Sequence, residues 1–199
     1  MRTQKKCRGL SLMECLVTVA IVAMMAMVAL PNGDQMIRRR DLFREAERVR
    51  QGLAYTQLRA YMLSENCGVY YFRKGSEWMY AVYRDGNGDG VLKKDILSGK
   101  DPLLEGPYPL LDHPTLIGIG FARGVTDPDS MQPIPEGTSP IAFNQSFICS
   151  FSPRGDGTPG TVYLTDGLQL AAAIRCSGSD GKLRKLYYFG GKGQPWTER

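Results

Sequence analysis

Gly9-Leu10-Ser11-Leu12-Met13-Glu14 opens an apolar run that reaches Pro31. From Leu10 to Leu30 there are 21 residues, and Glu14 carries the only ionisable carboxyl among them. At about 1.5 Å rise per residue, a helix of that length covers roughly 30 Å, the thickness of a bilayer's hydrocarbon core. The residues in front of it form a short leader with Arg2, Lys5, Lys6 and Arg8 and no acid. A carboxylate five residues into a membrane helix costs several kcal/mol unless it finds a partner, so it reads as functional. The partner suggested by the spacing is an α-amino group created by cleavage after Gly9, on the same chain or on a neighbour.

Two plainer readings compete and fit worse. A secretory signal has an apolar region of about 7–15 residues ending in an A-x-A-like site. This run is longer, and Ala26-Met27-Val28-Ala29 matches that site poorly. A plain single-span anchor leaves Glu14 as an unexplained cost. Gly9 followed by Leu10-Ser11-Leu12-Met13-Glu14-Cys15-Leu16-Val17 resembles the class III signal of type IV pilins and pseudopilins. The resemblance implies cleavage between Gly9 and Leu10 by a prepilin peptidase and N-methylation of Leu10. It also implies assembly with other major and minor pilins through this segment, with Glu14 as the assembly residue. Leu10 departs from the phenylalanine usual there, one apolar residue for another.

Charge and cysteines then follow the compartments this signal defines. The 199 residues carry a formal charge of +5, of which the leader supplies four. From Leu10 onward 21 basic and 20 acidic side chains nearly cancel, which argues against a global nucleic-acid role but not against a local basic patch. The leader favours a cytoplasmic N-terminus. Arg38-Arg39-Arg40 oppose it from beyond the span, softened by Asp34 and Asp41. The expected location is therefore the inner membrane, single-pass, with the C-terminal domain in the periplasm and at a pilus or pseudopilus tip after assembly. Cys7 leaves with the leader and Cys15 lies in the span. Cys67, Cys149 and Cys176 face an oxidising space where two can pair. Cys149 and Cys176 are the preferred disulfide because both sit in strand-like runs, although spacing alone does not fix connectivity.

Beyond the span the apolar period is helical to about Leu63. Leu42, Ala46, Val49, Leu53 and Ala60 make one stripe, which Phe43, Leu58 and Tyr61 widen. Glu45 and Glu47 are expected on the outer face among Arg44, Arg48 and Arg50. After Ser64 the period changes to strands at 68–73, 78–84, 116–122, 141–151, 161–164, 169–176 and 182–189, each bounded by glycine, proline or serine. Residues 98–114 and 124–140 read as irregular loops. The predicted organisation is a leader at 1–9, a transmembrane assembly helix at 10–31, an amphipathic helix half at 32–63 and a β-rich domain at 64–199. The fold class is α+β: a long N-terminal helix packed on antiparallel sheet.

Phe151-Ser152-Pro153-Arg154-Gly155, followed by Gly160-Thr161-Val162-Tyr163-Leu164, resembles the soluble domain of GspH/FimT minor pilins. Gly181-Lys182-Leu183-Arg184 stands where that group has a G-R-x-R-like turn, with lysine for the first arginine. The resemblance implies a helix on two antiparallel sheets and a minor subunit that initiates or caps a type IV pilus or a type II secretion pseudopilus. The alternative it raises is a tip pilin that binds DNA or another substrate.

Two local motifs carry chemistry of their own. Asp85-Gly86-Asn87-Gly88-Asp89-Gly90-Val91 matches the first half of a calcium loop, with Asp85, Asn87, Asp89 and the Val91 carbonyl as ligands. The second half departs, because position twelve is Ile96 and the nearest carboxylate is Asp95. The competing reading is a glycine-rich hairpin turn before a strand at Val91. Near the C-terminus, Lys182, Arg184 and Lys185 interleave with Tyr187, Tyr188, Phe189 and Trp196, a composition that suits DNA phosphates and stacked bases. Alternating cations and apolar residues equally describe a half-buried edge strand. Enzyme readings are poor: His113 is the only histidine, in a proline-flanked loop, and no hydrolase, phosphate-loop or metalloprotease motif is present.

Overall fold

Helix α1 (Leu12–Leu63) carries the chain from a first compact unit, Met1–Ile37, into a second, Arg38–Arg199. The computed structural model describes residues 11–112, 116–135, 137–190 and 196–198, without the side chains of 28–33. Pro31-Asn32-Gly33 lie inside the helix as assigned, so the two apolar patterns of the sequence belong to one element.

In the second unit α1 buries the stripe its spacing predicts. Leu42, Ala46, Leu53 and Ala60 are fully buried and Val49 nearly so. Each large apolar side chain removed from water there contributes about 1.5–3 kcal/mol. Two expectations fail. Leu58 and Tyr61 are exposed and do not widen the stripe, and Glu45 is buried rather than on the outer face. Position 45 lies three residues after Leu42 and four before Val49, which puts it on the buried face. Glu45 is compensated there by Arg44 and Arg48 at 3.7 and 3.8 Å and by the Asp112 amide, which donates to Oε2 at 3.3 Å.

The strands form two antiparallel sheets. The first runs in the order β3 (Leu103–Pro109), β2 (Glu77–Arg84), β1 (Cys67–Lys74), β6 (Ile148–Phe151). The second runs β10 (Thr197–Glu198), β9 (Leu183–Tyr188), β8 (Ala171–Cys176), β7 (Gly160–Thr165), β4 (Gly118–Ile119), with β5 (Ile141–Ala142) also on β7. Inward side chains of both sheets, among them Val69, Tyr71, Phe151, Leu164, Ile174 and Tyr187, join the helix stripe in one core. Phe43 of the helix meets Tyr187 edge-on, with ring centroids 4.5 Å apart, and Arg39 lies over Phe189 at 4.1 Å.

Boundaries differ from the sequence reading at four places. Residues 103–109, expected as loop, form β3 on the edge of the first sheet, where Pro107 and Pro109 are tolerated. The long strand expected at 141–151 is two short ones, β5 and β6, which lie in different sheets. The strand expected at 116–122 shortens to β4. In place of a strand at Val91 the chain forms a short helix, α2 (Lys93–Ser98), ended by Gly99 in the left-handed region at φ 77°. The 124–140 stretch is a loop as expected. Val125 and Ile134 from this loop, with Ala122 just before it, cover the outer face of the second sheet together with Trp196.

Candidate functional site

The first unit shows an arrangement that a folded domain avoids. Leu12, Leu16, Val19 and Met27 are 80, 59, 67 and 77 % exposed. An apolar surface of this extent marks a contact with another chain or with lipid. Glu14 sits in the first helical turn and folds back toward the helix start: its Oε2 accepts the Ser11 backbone N–H at 3.1 Å. A carboxylate at this end also meets the positive pole of the helix dipole. The Thr18 hydroxyl donates to the carbonyls of Glu14 and Cys15, each at 2.9 Å, so it is satisfied within the helix and needs no solvent. Gly9 and Leu10, the expected cleavage pair, lie outside the described residues. Among the described residues no helix is long and apolar enough to cross a membrane. The part of the run with described side chains, 11–27, is shorter than the roughly 20 residues a span requires.

The glycine-rich motif is a closed turn organised by two buried carboxylates. Asp85 Oδ1 accepts the amides of Asn87 and Gly88 at 3.2 and 2.7 Å. Its Oδ2 accepts from the Gly90 amide at 2.7 Å and from Asn66 Nδ2 at 2.9 Å. Burial raises the Asp85 pKa, but the donors from Asn66, Gly90, Gly88 and Asn87 outweigh it and hold the carboxyl below its usual range. Asp101, which the sequence reading passed over, accepts from Gly86 and Leu92 at 3.1 and 3.0 Å and closes the other side. Gly86 has no room for a side chain, since a Cβ there would lie 1.9 Å from the Lys100 carbonyl oxygen. Asp89 and the buried Asp95 both approach the ammonium of Lys94, at 3.5 and 3.7 Å. Among the described residues no group of three or more acids, histidines or cysteines is placed to hold a metal. Asp85, Asn87, Asp89 and Val91 therefore share one loop while Asp95 lies on α2, and among the described residues they are not assembled into a carboxylate cage.

The C-terminal cations are placed on β9 and its approach, where each meets acid. Lys185 Nζ lies 2.6 Å from Glu47, and Arg184 Nε donates to Glu198 at 3.0 Å. Lys182 stands in the field of Asp180 and Glu198. Glu47 also receives Arg50 at 2.6 Å; that pair, ahead of the opposing burial and with help from Lys185, lowers its pKa to about 2. The aromatics meant to stack with bases are occupied: Tyr187 and Tyr188 are buried, and Trp196 packs on Tyr163 and Tyr188 and donates to the Thr126 carbonyl at 2.8 Å. The motif reads better as a strand between β10 and β8, joined to the helix by an ion pair.

Cys149 and Cys176 are free thiols, both buried, in β6 and β8. Cys67 is free and buried in β1, and burial pushes its pKa up to about 11. His113 lies outside the described residues. Over residues 4–30 the chain matches the family model described as the prokaryotic N-terminal methylation motif. That match supports a type IV pilin-like protein, of the kind anchored in a membrane by its N-terminus. No curated protein and no solved structure matches the chain.

Proposed function

We propose that the chain is a minor pilin or pseudopilin of the GspH/FimT type, working as a structural subunit that initiates or caps a type IV pilus or a type II secretion pseudopilus. The methylation motif at 4–30 is the premise, and the exposed apolar helix with Glu14 turned toward its start is the observation that carries the reading. Prepilin peptidase removes the leader between Gly9 and Leu10, and the new amine on Leu10 is methylated. That amine arises one residue before Ser11, whose amide Glu14 already receives at 3.1 Å. In lipid a lone carboxylate is costly and a lone ammonium likewise, so neutralisation between them, within one chain or between neighbours, stabilises the docked subunit and fixes its axial register. The run from 10 to 31 then spans the inner membrane until it is packed among other pilins, with the β-domain in the periplasm or at the tip.

The competing reading, a DNA-binding tip pilin, has less support because Arg184 and Lys185 serve Glu198 and Glu47. Glu14→Ala is the test of the structural reading. The variant should lose its leader normally, by mass, while assembled filaments counted by electron microscopy fall at least about tenfold, the equivalent of about 1.4 kcal/mol per docking step. Normal filament numbers with Glu14→Ala would contradict it.

A further inference from the structure

Three thiols remain in the folded unit, and three pairings of them exist. Sequence spacing does not choose among these. The structure does so through one short segment, Gly157-Thr158, which runs between the two sheets. The Cys149 thiol on β6 points at the Thr158 carbonyl at 3.9 Å. The sulfur of Cys176 on β8 lies against Gly157, so closely that a Cβ there would sit 2.7 Å from it. Thr158 is bonded to Ser150, next to Cys149, and the Gly157 amide donates to the Gly178 carbonyl, two residues beyond Cys176. Two thiols on different sheets are thus brought to the same short segment of the core.

Cys67 is set apart from Cys149 by the strand register. It stands opposite Phe151 in the β1–β6 register, whereas Cys149 stands opposite Val69, so the two are only diagonal neighbours.

We infer that Cys149 and Cys176 form a disulfide that ties the four-stranded sheet to the six-stranded one, leaving Cys67 as a buried free thiol. The thiolate of one cysteine attacks a sulfur of a donor disulfide, protein or small molecule, and releases one donor thiolate. The second cysteine then displaces the remaining donor sulfur. The two cysteines together lose two protons and two electrons, and the donor leaves as two thiols. Because both side chains are buried in the finished domain, the exchange takes place before the sheets close over them. The inference rests on the periplasmic placement proposed above only for the source of the donor.

Peptide mapping under non-reducing conditions reads the pairing directly. The purified full chain in detergent, refolded with oxidised glutathione and cut with trypsin, should give residues 124–154 joined to 176–182, and 60–73 with its thiol free. Reduction should lower the melting midpoint by about 5–10 °C. The link should persist in Cys67→Ser, a variant that leaves both partner sulfurs in place. Joining of 60–73 to 124–154, or alkylation of all three thiols after refolding with glutathione, would overturn the assignment. The same mapping on protein extracted from cells separates the two claims. A link that forms with glutathione but is missing from cells leaves the pairing standing and counts against the periplasmic placement.

Discussion

Between Leu12 and Met27, helix α1 holds its apolar side chains in solvent; between Leu42 and Ala60 it buries one stripe of them under two sheets. The two stretches share the same helical backbone but not the same composition: 14 of the 16 residues at 12–27 are apolar, against 9 of the 19 at 42–60. The difference lies in composition and in patterning. The second stretch confines its large residues to one stripe and gives the remaining faces to Arg44, Arg48, Arg50 and their carboxylates, a pattern one domain can satisfy. The first is apolar on every side, so a single packed surface cannot cover it, and only lipid or a ring of neighbouring helices does. Each stretch also holds one conspicuous acid. Glu45 is compensated inside its own domain by two arginines and a backbone amide, while Glu14 has a single backbone amide.

Truncations in the two stretches should therefore report on different things. Leu53→Ala opens a cavity in the packed core and should cost about 2–5 kcal/mol of domain stability, seen as a large drop in denaturant midpoint. Leu16→Ala should leave that midpoint within about 0.5 kcal/mol while impairing assembly. Equal effects on stability would erase the distinction. Next in size is Asp85→Ala, which strands the amides of Asn87, Gly88 and Gly90; a loss of about 2–3 kcal/mol in calcium-free buffer is expected. An unchanged midpoint would mean that the carboxylate does not organise the turn.

Smaller again is the pair that holds β9 to the helix. Glu47→Gln should cost about 1 kcal/mol, a figure reduced for solvent screening because the carboxylate is partly exposed. Its folded pKa of about 2 lies below the unfolded value of about 4.3, so this contribution is fully present above that value and disappears as pH falls from there toward 2. The wild type minus Glu47→Gln difference, followed by melting across that window, checks the sign; a difference that grows on acidification would refute it. The smallest effect is expected for Lys182→Ala, which should change neither melting nor assembly. A salt-sensitive gel shift of DNA by the wild type, lost in this variant, would break the reading of the C-terminal cations as partners of local acids.

Period made the helix stripe and most strands readable in advance, because burial on one face leaves a repeat of 3.6 or 2 in the residues themselves. What escaped was set by partners distant in the chain. Gly106-Pro107-Tyr108-Pro109 reads as loop by composition and becomes strand because the edge of β2 is free to receive it. Glu45 reads as surface by its charge, although its position between Leu42 and Val49 already put it on the buried face. Asp101 gave no local sign, since its role depends on amides 9 and 15 residues earlier. In the glycine-rich motif the ligand types were legible, but the hydrogen bonds that use Asp85 were not. Tyr187 and Tyr188 looked available beside lysines, and only the sheet order shows them turned into the two buried clusters.

The central claim concerns the N-terminus, and intact mass of the protein extracted from membranes of cells with an active prepilin peptidase tests it most directly. The account predicts a chain that begins at Leu10 and is one methyl group heavier than the cleaved sequence. A mass beginning at Met1 in such cells would contradict it.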